Sequence, residues 1–342
     1  MTAQATDGST RSAAVVTFGD FDQLSGKMAH GVVSFCPWVH HVVDSAFAGR
    51  STRDVVPHLK RDVPIVASVV ELPAGTNELV LGGTPPGGRL DAQAHAAIAS
   101  WIVDGYRVVS GHHPTANDAE SPRFVRLRDA AAFRTVGRGV SVGVAKPVVL
   151  MVGNDCATGK MTAGLELGSA LAAEGKQTAF VATGQTGMYI SGRGVPVDAI
   201  SADFAAGAIE NEVLSAAADN TVDAVIVEGQ GSIFHPAYSG VSLSLLHGCA
   251  PSALVMCVDL ERSELKYFDR PSVDVAEHVA VLEALSRHQR AATVECVIAT
   301  GHTQDSRKIA DLETSIGRPV FAQNSDGYQR AARHLASGLQ WM

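Results

Sequence analysis

The chain has 342 residues, which is long enough for about two domains of ordinary size. Its 46% apolar and 18% charged residues are typical of a globular protein, and no apolar run reaches the roughly 18 residues that predict a membrane span. The formal net charge is −8 and basic residues form no block, which argues against binding to nucleic acid or to a membrane surface.

The N-terminal residues and the cysteines indicate the cellular compartment in which we expect the protein. Residues 1–12 are polar and lack the apolar core of a signal peptide, so we expect them to form a disordered tail. The five cysteines are widely spaced and contain no CxxC pair, which predicts neither a disulfide framework nor a zinc site. Such a chain suits a reducing compartment, and we expect a cytoplasmic protein.

Residues 13–146 show an alternation of short buried strands with helical segments. The predicted strands are Ala13–Thr17, Val39–Val43, Pro64–Val70, Glu78–Leu81 and Arg107–Ser110. Between the last two, Asp91–Asp104 places its apolar residues at the spacing of one helix face. This β/α alternation predicts a parallel, doubly wound sheet. We expect one domain over residues 13–146, including a linker at its end.

Two loops of this first domain follow predicted strands and carry candidate ligand-binding residues. They are Gly82–Leu90 (GGTPPGGRL) and Ser110–Pro114 (SGHHP). Ligands of open α/β sheets bind beyond the carboxyl ends of the strands, so Arg89 and His113 are candidate substrate-binding residues. A Pro/Gly connection without a ligand explains the same loops equally well.

A second series of strands and helices occupies residues 147–342. Its predicted strands are Val148–Val152, Thr178–Ala182, Ala224–Glu228, Ala253–Val258 and Thr293–Ala299. Its predicted helices are Lys160–Glu174, Val273–Ser286 and Ser325–Gly338. The alternation again predicts an α/β domain with a mainly parallel sheet.

The segment GNDCATGKMT joins the first strand of this second domain to its first helix. A phosphate chain needs exposed backbone N–H groups, a helix amino terminus and a lysine, and this segment offers all three. Lys160 supplies the positive charge, and Thr162 supplies a hydroxyl beside any bound magnesium ion. We predict a phosphate-binding loop, or P-loop, made of Gly153, Asn154, Asp155, Cys156, Ala157, Thr158, Gly159, Lys160, Met161 and Thr162.

The spacing of this loop departs from the common P-loop pattern. Five residues separate Gly153 from Gly159, and Met161 lies between Lys160 and Thr162. The five-residue gap, with an aspartate at the third position of the loop, resembles the dethiobiotin synthetase branch of P-loop proteins. A glycine turn beside an unrelated lysine is the alternative interpretation.

A carboxylate closes a later strand of the same domain. Glu228 ends the predicted strand and precedes a glycine turn in VIVEGQGS. This position fits the metal-facing side of a P-loop, and Asp155, Thr162 and Glu228 together offer oxygen ligands suited to Mg²⁺. Alternatively, Glu228 caps a loop by accepting backbone N–H groups.

Two further segments supply candidate substrate-binding and catalytic groups. The predicted loop Ala182–Arg193 offers Gln185, Thr186 and Arg193 to a substrate carboxylate, and Arg193 can bind one through two hydrogen bonds. His235 follows the glutamate turn in FHPAYSG, where a proton acceptor can face the P-loop. The alternative for Ala182–Arg193 is an ordinary solvated loop, and the alternative for His235 is a structural histidine.

Together these motifs resemble the DgcN family of two-domain P-loop proteins. The resemblance extends from about Gly26 to the C-terminus and is carried by GNDCATGKMTAGLEL, VATGQTG, GRGVPVDAISADFAAGA, VEGQGSIFHPAYSGVSLSLLHG and the N-terminal GGRL and SGHH segments. It implies a Rossmann-like N-terminal domain and a P-loop NTPase-like C-terminal domain. Characterised members are acetyl-CoA-dependent N-acetyltransferases of D-glutamate and similar D-amino acids. The resemblance therefore implies acetyl-CoA as the donor and a small acidic amino acid as the acceptor.

The candidate residues can be matched to acetyl transfer. This reaction needs a base that removes the proton of the amine and hydrogen-bond donors that stabilise the oxyanion of the thioester. His235 or Glu228 is the candidate catalytic base, loop N–H groups are the donors, and Arg193 or Arg89 is the cation for the acceptor's carboxylate. We expect these groups to meet in a cleft between the two domains of a homo-oligomeric enzyme.

The apparent magnesium ligands keep other functions open. An ATP- and Mg²⁺-dependent ligase or kinase resembling dethiobiotin synthetase activates a carboxylate or carbamate by phosphorylation. A third possibility is a nucleotide-binding regulator without catalysis. In these two alternatives, ATP, with Mg²⁺, takes the place of acetyl-CoA. For all three functions, we expect the protein's partner to be a small molecule.

Overall fold

The computed structural model describes residues 11–83, 89–112, 120–301 and 305–339. The chain divides into two compact units, Met1–Asp129 and Ala130–Met342. Residues 130–146, which we predicted as part of the first domain, lie in the second unit. The candidate residue His113 and most of the expected N-terminal tail lie outside the described residues. Within the described chain, every helix is too short or too polar to cross a bilayer.

The first unit is built from short strands and helices. Its strands are β1 (Ala13–Val16), β2 (Val39–Val43), β3 (Ile65–Val66), β4 (Glu78–Leu81), β5 (Arg107–Ser110) and β6 (Phe124–Arg126). Its helices in the described residues are α1 (Lys27–Phe35), α2 (Thr52–Val55) and α3 (Ala92–Val103). All five predicted strands are present, although the one predicted over Pro64–Val70 is shortened to β3.

The strands of the first unit follow the order β3-β2-β1-β4-β5-β6, and all neighbours pair in parallel. This is the strand order of a Rossmann fold. The chain leaves β1 toward β2 and β3, and then returns to the other side of β1 to form β4. Every residue of β1 and β4 is buried. Burial on both faces explains the apolar residues of these strands, and the one charged residue, Glu78, pairs with Arg11 and Arg107. The predicted doubly wound, Rossmann-like sheet is confirmed.

The second unit has the same alternation on a larger scale. Its strands are β7 (Val148–Gly153), β8 (Thr178–Val181), β9 (Ala224–Val227), β10 (Ala253–Asp259), β11 (Thr293–Thr300) and β12 (Val320–Ala322). Its helices in the described residues are α4 (Lys160–Ala173), α5 (Gln185–Ser191), α6 (Ala202–Ala217), α7 (Ser239–Cys249), α8 (Val275–Ser286), α9 (Ser306–Ile316) and α10 (Ser325–Gly338). One expectation is wrong: Ala182–Arg193 is not all loop, because it contains the helix α5.

The sheet of the second unit has the order β12-β11-β10-β7-β9-β8 and is parallel throughout. Its central strand β7 alternates between two apolar layers. Leu150 and Val152 belong to one layer, whereas Val149 and Met151 belong to the layer that also contains Leu167 of α4. Because parallel strands end at one edge of the sheet, the loops after β7, β8, β9 and β10 gather there. The predicted P-loop α/β domain is confirmed.

A glycine brings the ends of β7 and β9 into close contact. Gly229 follows β9, and a Cβ atom at this position would lie 1.7 Å from the carbonyl oxygen of Met151 in β7. The same Cβ would lie 3.1 Å from Cδ of Lys160. A side chain therefore fits at position 229 only if the backbone of the two strands separates.

We expect Gly229→Ala to destabilise the second unit by about 3 kcal/mol, at the upper end of the cost of overpacking, because the clash involves backbone atoms that cannot rotate away. Urea or thermal unfolding measures the effect. Gly240→Ala in α7 is the matched control, since a Cβ there meets no atom within 4 Å. Equal stability of the two variants would contradict the close contact.

Candidate active site

The loop between β7 and α4 is tightly curled. Ala157 and Gly159 both have left-handed backbone conformations, with φ of 54° and 78°, and such a conformation is uncommon for alanine. A Cβ atom on Gly153 would lie 2.6 Å from Oγ1 of Thr158 and 3.1 Å from the carbonyl oxygen of Cys257. Only a glycine at position 153 leaves the interior of this loop open. The predicted strand, glycine loop and helix are all present.

The ammonium group of Lys160 lies inside the loop. Its Nζ donates hydrogen bonds to the carbonyl oxygen of Asp155 at 2.6 Å and to Oγ1 of Thr158 at 3.3 Å, and the residue is 6% exposed. Burial lowers the pKa of Lys160, while nearby acidic groups, among them Asp155 and Glu228, oppose that shift. The first residue of α4 thus places a positive charge at the centre of the loop.

Asp155 anchors the loop to the segment after β10. Its Oδ2 accepts hydrogen bonds from Nη1 of Arg262 at 2.9 Å and from the backbone N–H of Lys266 at 2.7 Å, and its Oδ1 accepts one from the N–H of Cys156 at 2.7 Å. Burial raises the pKa of Asp155, but these donors outweigh it and hold the pKa below its usual value. The side chain is fully buried and remains ionised.

His235 is fully buried against the same segment. Its Nδ1 accepts a hydrogen bond from the N–H of Ala237 at 3.2 Å, and its Nε2 lies 3.0 Å from the carbonyl oxygen of Lys266. Nε2 therefore carries the hydrogen, and neither nitrogen has a free lone pair for a substrate proton. This geometry gives His235 a structural role, and the predicted role as catalytic base requires both hydrogen bonds to change.

Three potential metal ligands meet at this point. The ligand atoms of Asp155, Cys156 and His235 lie within 4.8 Å of one another. However, the guanidinium of Arg262 already balances the charge of Asp155, and the Nε2–H of His235 points to a carbonyl oxygen. The arrangement holds two loops together and does not present its lone pairs to a cation.

Glu228 lies at the end of β9, close to Lys160. Its Oε2 accepts a hydrogen bond from the N–H of Thr183 at 2.9 Å, and the residue is 6% exposed. Burial raises the pKa of Glu228 to about 7, against the opposing effects of the Thr183 and Gly184 N–H groups and of Lys160. The glutamate thus binds loop N–H groups, as one interpretation of the sequence expected, and it also titrates near neutral pH.

The structure separates the predicted substrate residues of this unit. Gln185 and Thr186 form the first turn of α5, beside Glu228, since a Cβ on Gly187 would lie 2.7 Å from Oε2 of that glutamate. Arg193 instead directs its Nε to Oε1 of Glu212 in α6, at 3.3 Å. Its guanidinium is already paired with a carboxylate of the protein.

The remaining candidates stay predictions. The proposed magnesium ligands Asp155, Thr162 and Glu228 require Asp155 to give up hydrogen bonds that engage both of its oxygens. Thr162 is half-buried in the first turn of α4. In the first unit, Arg89 is exposed, and His113 falls outside the described residues. The expected cleft between the two domains likewise stays a prediction.

Sequence reasoning missed the residues that hold the loop in place. Arg262 and Lys266 follow β10, and Arg262 also donates to the carbonyl oxygen of Cys156 at 2.6 Å. Thr183 follows β8 and donates its hydroxyl to the carbonyl oxygen of Glu228 at 2.9 Å. A signal was present in the sequence, because all three residues follow strands of a parallel sheet, whose carboxyl ends gather at one edge.

Comparison with known proteins places both units in described families. Residues 135–331 match the family described as a domain of unknown function, DUF1611, P-loop domain, and residues 45–133 match its N-terminal counterpart, described as a Rossmann-like domain. A crystal structure of a DUF1611 family protein from Anabaena variabilis is 26% identical, with a TM-score of 0.84, and the match covers 96% of this chain and 100% of that one.

Two curated relatives carry the name D-glutamate N-acetyltransferase. The protein from Tritonibacter scottomollicae is 32% identical over 283 residues, which cover 78% of this chain and 82% of that protein. The protein from Pseudoalteromonas sp is 37% identical over 201 residues, which cover 56% of this chain and 59% of that protein. This second match therefore spans less than two thirds of the relative's length.

We expect Arg262→Met to lower the free energy of unfolding by about 2 kcal/mol at pH 7, because it leaves the buried carboxylate of Asp155 without its charged partner. The folded-state pKa of Asp155 lies below its unfolded value of about 3.9, so the ionised carboxylate contributes stability above that pH and loses it as the pH falls through the folded-state pKa. The difference from the wild type should therefore shrink below about pH 4. Denaturant unfolding from pH 3 to pH 8 measures it, with exposed Arg270→Met from the same segment as the control. An equal loss in both variants would contradict the assigned role.

Proposed function

This chain belongs to the DUF1611 family, and on that premise we propose that it is an N-acetyltransferase that moves an acetyl group from acetyl-CoA to the amine of D-glutamate or a similar small acidic amino acid. The observation that carries the proposal is a buried glutamate, Glu228, whose pKa of about 7 suits a base and which lies beside the lysine of a P-loop. The names of the two curated relatives support the reaction class.

The P-loop fits the pyrophosphate of coenzyme A. Gly153 keeps the interior of the loop free of a side chain, and Lys160 supplies a positive charge there. The left-handed Gly159 leads directly into α4, whose first N–H groups and helix dipole favour an anion. These features bind phosphate without a requirement for hydrolysis. Bound acetyl-CoA supplies an activated thioester carbonyl.

Glu228 is the base in this proposal. A carboxyl group with a pKa near 7 is partly ionised at neutral pH and can accept a proton from an ammonium or amine. The nitrogen of the acceptor forms a bond to the acetyl carbon, the bond from that carbon to sulfur breaks, and the amine proton passes to Glu228. The thiolate of the leaving coenzyme A then takes up a proton, so that the carboxylate of Glu228 is regenerated.

Lys160 and the start of α5 complete the local chemistry. The Lys160 ammonium can stabilise negative charge near the loop, where burial strengthens its electrostatic effect. Gln185 and Thr186 lie in the chain between Gly184 and Gly187, both of which approach the Glu228 carboxylate, and in this proposal they offer polar groups to the acceptor. Arg193 is paired with Glu212, so the carboxylate of the acceptor needs another partner or an exchange of this ion pair.

The activity is tested by incubating the full-length protein with acetyl-CoA and D-glutamate in the presence of EDTA, and by following the free thiol of coenzyme A. We expect N-acetyl-D-glutamate and coenzyme A in equal amounts, and Lys160→Ala should weaken acetyl-CoA binding at least tenfold while it leaves the fold intact. Dependence on ATP and Mg²⁺ with release of ADP would instead show a ligase or kinase. Nucleotide binding without turnover would show a regulator.

The pH profile tests the base. Because burial raises the pKa of Glu228 to about 7, kcat/KM should rise with pH between 6 and 8 as the carboxylate becomes ionised. Glu228→Gln should lower kcat by about 10²- to 10⁴-fold, the usual contribution of a general base, and should remove this rise. Glu277→Gln, at an exposed carboxylate of α8, is the control and should retain the profile. A Glu228→Gln enzyme with the wild-type profile would exclude Glu228 as the base.

A further inference from the structure

A small cavity lies at the carboxyl edge of the sheet in the second unit, and the chemistry proposed for the P-loop does not use it. Its volume is about 20 Å³. The end of β7, from Leu150 to Gly153, forms one wall, and the turn from Gly229 to Ile233 forms another. Residues of α7 and α8 close the remaining side. The cavity therefore belongs to the same edge of the sheet as the P-loop.

Two glycines of the lining place the cavity beside Lys160. Gly153 begins the P-loop, and a Cβ there would lie 3.1 Å from Nζ of Lys160. Gly229 directly follows Glu228, and a Cβ there would lie 3.1 Å from Cδ of the same lysine. Because both positions lack a side chain, only backbone separates the cavity from the buried lysine on this side.

The polar side chains in the lining already have partners within the protein. Ser242 donates a hydrogen bond to the carbonyl oxygen of Gln230 at 2.7 Å, and the amide of Gln230 donates one to Oγ1 of Thr183 at 3.0 Å. Ser232 lies 3.2 Å from Nε2 of His278, whose Nδ1 faces a backbone carbonyl oxygen at 3.0 Å, so that Ser232 donates to Nε2. The contacts that remain for a ligand are therefore mainly apolar.

Three leucines form the apolar side of the cavity. Leu245 and Leu246 belong to α7, Leu282 belongs to α8, and all three are buried in the same apolar layer as Val152. Protein interiors are close-packed, so these side chains cannot withdraw without a loss of packing elsewhere. The leucines thus set the depth of the cavity.

The size of the cavity matches one methyl group. A cavity of about 10–15 Å³ by this measure holds one water molecule, so about 20 Å³ holds one or two non-hydrogen atoms. A buried water molecule normally has two to four polar partners, whereas this lining is largely apolar. A methyl group fits, and each further methylene group has to displace a buried leucine.

We propose that this cavity is the acyl pocket of the enzyme and that Leu245, Leu246 and Leu282 restrict the donor to an acetyl group. The inference rests on the proposed function, which brings an acyl thioester to the P-loop. The acetyl methyl group fills the cavity, and the thioester carbonyl lies at the wall of Gly153 and Gly229, beside Lys160. Longer acyl chains are excluded by the leucine side chains.

Calorimetric titration of the full-length protein without an amino acid tests the pocket apart from turnover. The probes are coenzyme A, acetyl-CoA, propionyl-CoA and butyryl-CoA. We expect acetyl-CoA to bind about fourfold more tightly than coenzyme A, the usual gain from burying one methyl-sized group. Acetyl-CoA should also bind about 10- to 200-fold more tightly than propionyl-CoA, the usual discrimination against one extra methylene group.

Leucine-to-valine variants identify the wall of the pocket. Leu246→Val and Leu282→Val each remove one methylene group from the lining, so both should bind propionyl-CoA about fivefold or more tightly than the wild type does. Leu171→Val is the matched control, because Leu171 of α4 is fully buried in the apolar layer on the other face of the sheet. It should keep the wild-type preference. Coenzyme A, which has no acyl group, should bind all four proteins alike and so shows that the variants are folded.

The outcomes separate the pocket from the proposed function. Equal binding of the three thioesters by the wild type would overturn the pocket, as would the absence of binding or an equal gain for propionyl-CoA in Leu171→Val. Unchanged propionyl-CoA binding in both Leu246→Val and Leu282→Val would also overturn it. A protein that prefers acetyl-CoA but acetylates no amino acid would contradict the proposed function and leave the pocket in place. Equally fast acylation of D-glutamate from acetyl-CoA and propionyl-CoA would support the reaction class and overturn the pocket.

Discussion

The candidate active site depends on burying two opposite charges at the ends of neighbouring strands. Lys160 begins the helix after β7, Glu228 directly follows β9, and each is 6% exposed. Removal from water destabilises both charged forms, which is why the pKa of the lysine falls and that of the glutamate rises. Gly229 makes the arrangement possible, because any side chain there would collide with the backbone of β7. A carboxyl group that titrates near neutral pH is a direct result of this packing.

The P-loop is held from outside by residues that do not belong to it. The side chain of Asp155 receives hydrogen bonds from Arg262 and from the backbone of Lys266. His235 fills the space behind it, stacked on Tyr238 with ring centroids 4.6 Å apart. Such a shell fixes the loop in one conformation, and a preorganised loop binds an anion without first paying the entropy of becoming ordered. The aspartate in the loop thus has a structural explanation that does not involve a metal ion.

The two units show different uses of the same strand arrangement. In the second unit, the polar groups at the carboxyl edge of the sheet are mostly paired with one another, as Glu228 is with Thr183 and Asp155 with Arg262. In the first unit, the Oδ1 atom of Asp20 is buried without a hydrogen-bond partner among the described residues.

The sequence by itself determined the two α/β domains, most of their strands and the position of the P-loop. Buried parallel strands are continuous apolar runs, and Gly153, Gly159 and Lys160 mark the loop through local backbone and charge requirements that a linear pattern displays. The sequence left two roles open for Glu228, that of a loop cap and that of a reactive carboxylate. Tertiary structure decided that the residue accepts a loop N–H group and that burial raises its pKa to about 7. Tertiary structure also turned His235 and Arg193 toward partners within the protein. It brought Arg262 to Asp155, although these two residues are 107 positions apart in the chain. Those contacts join segments that are distant in the chain, and no local pattern of residue types records which of them will meet.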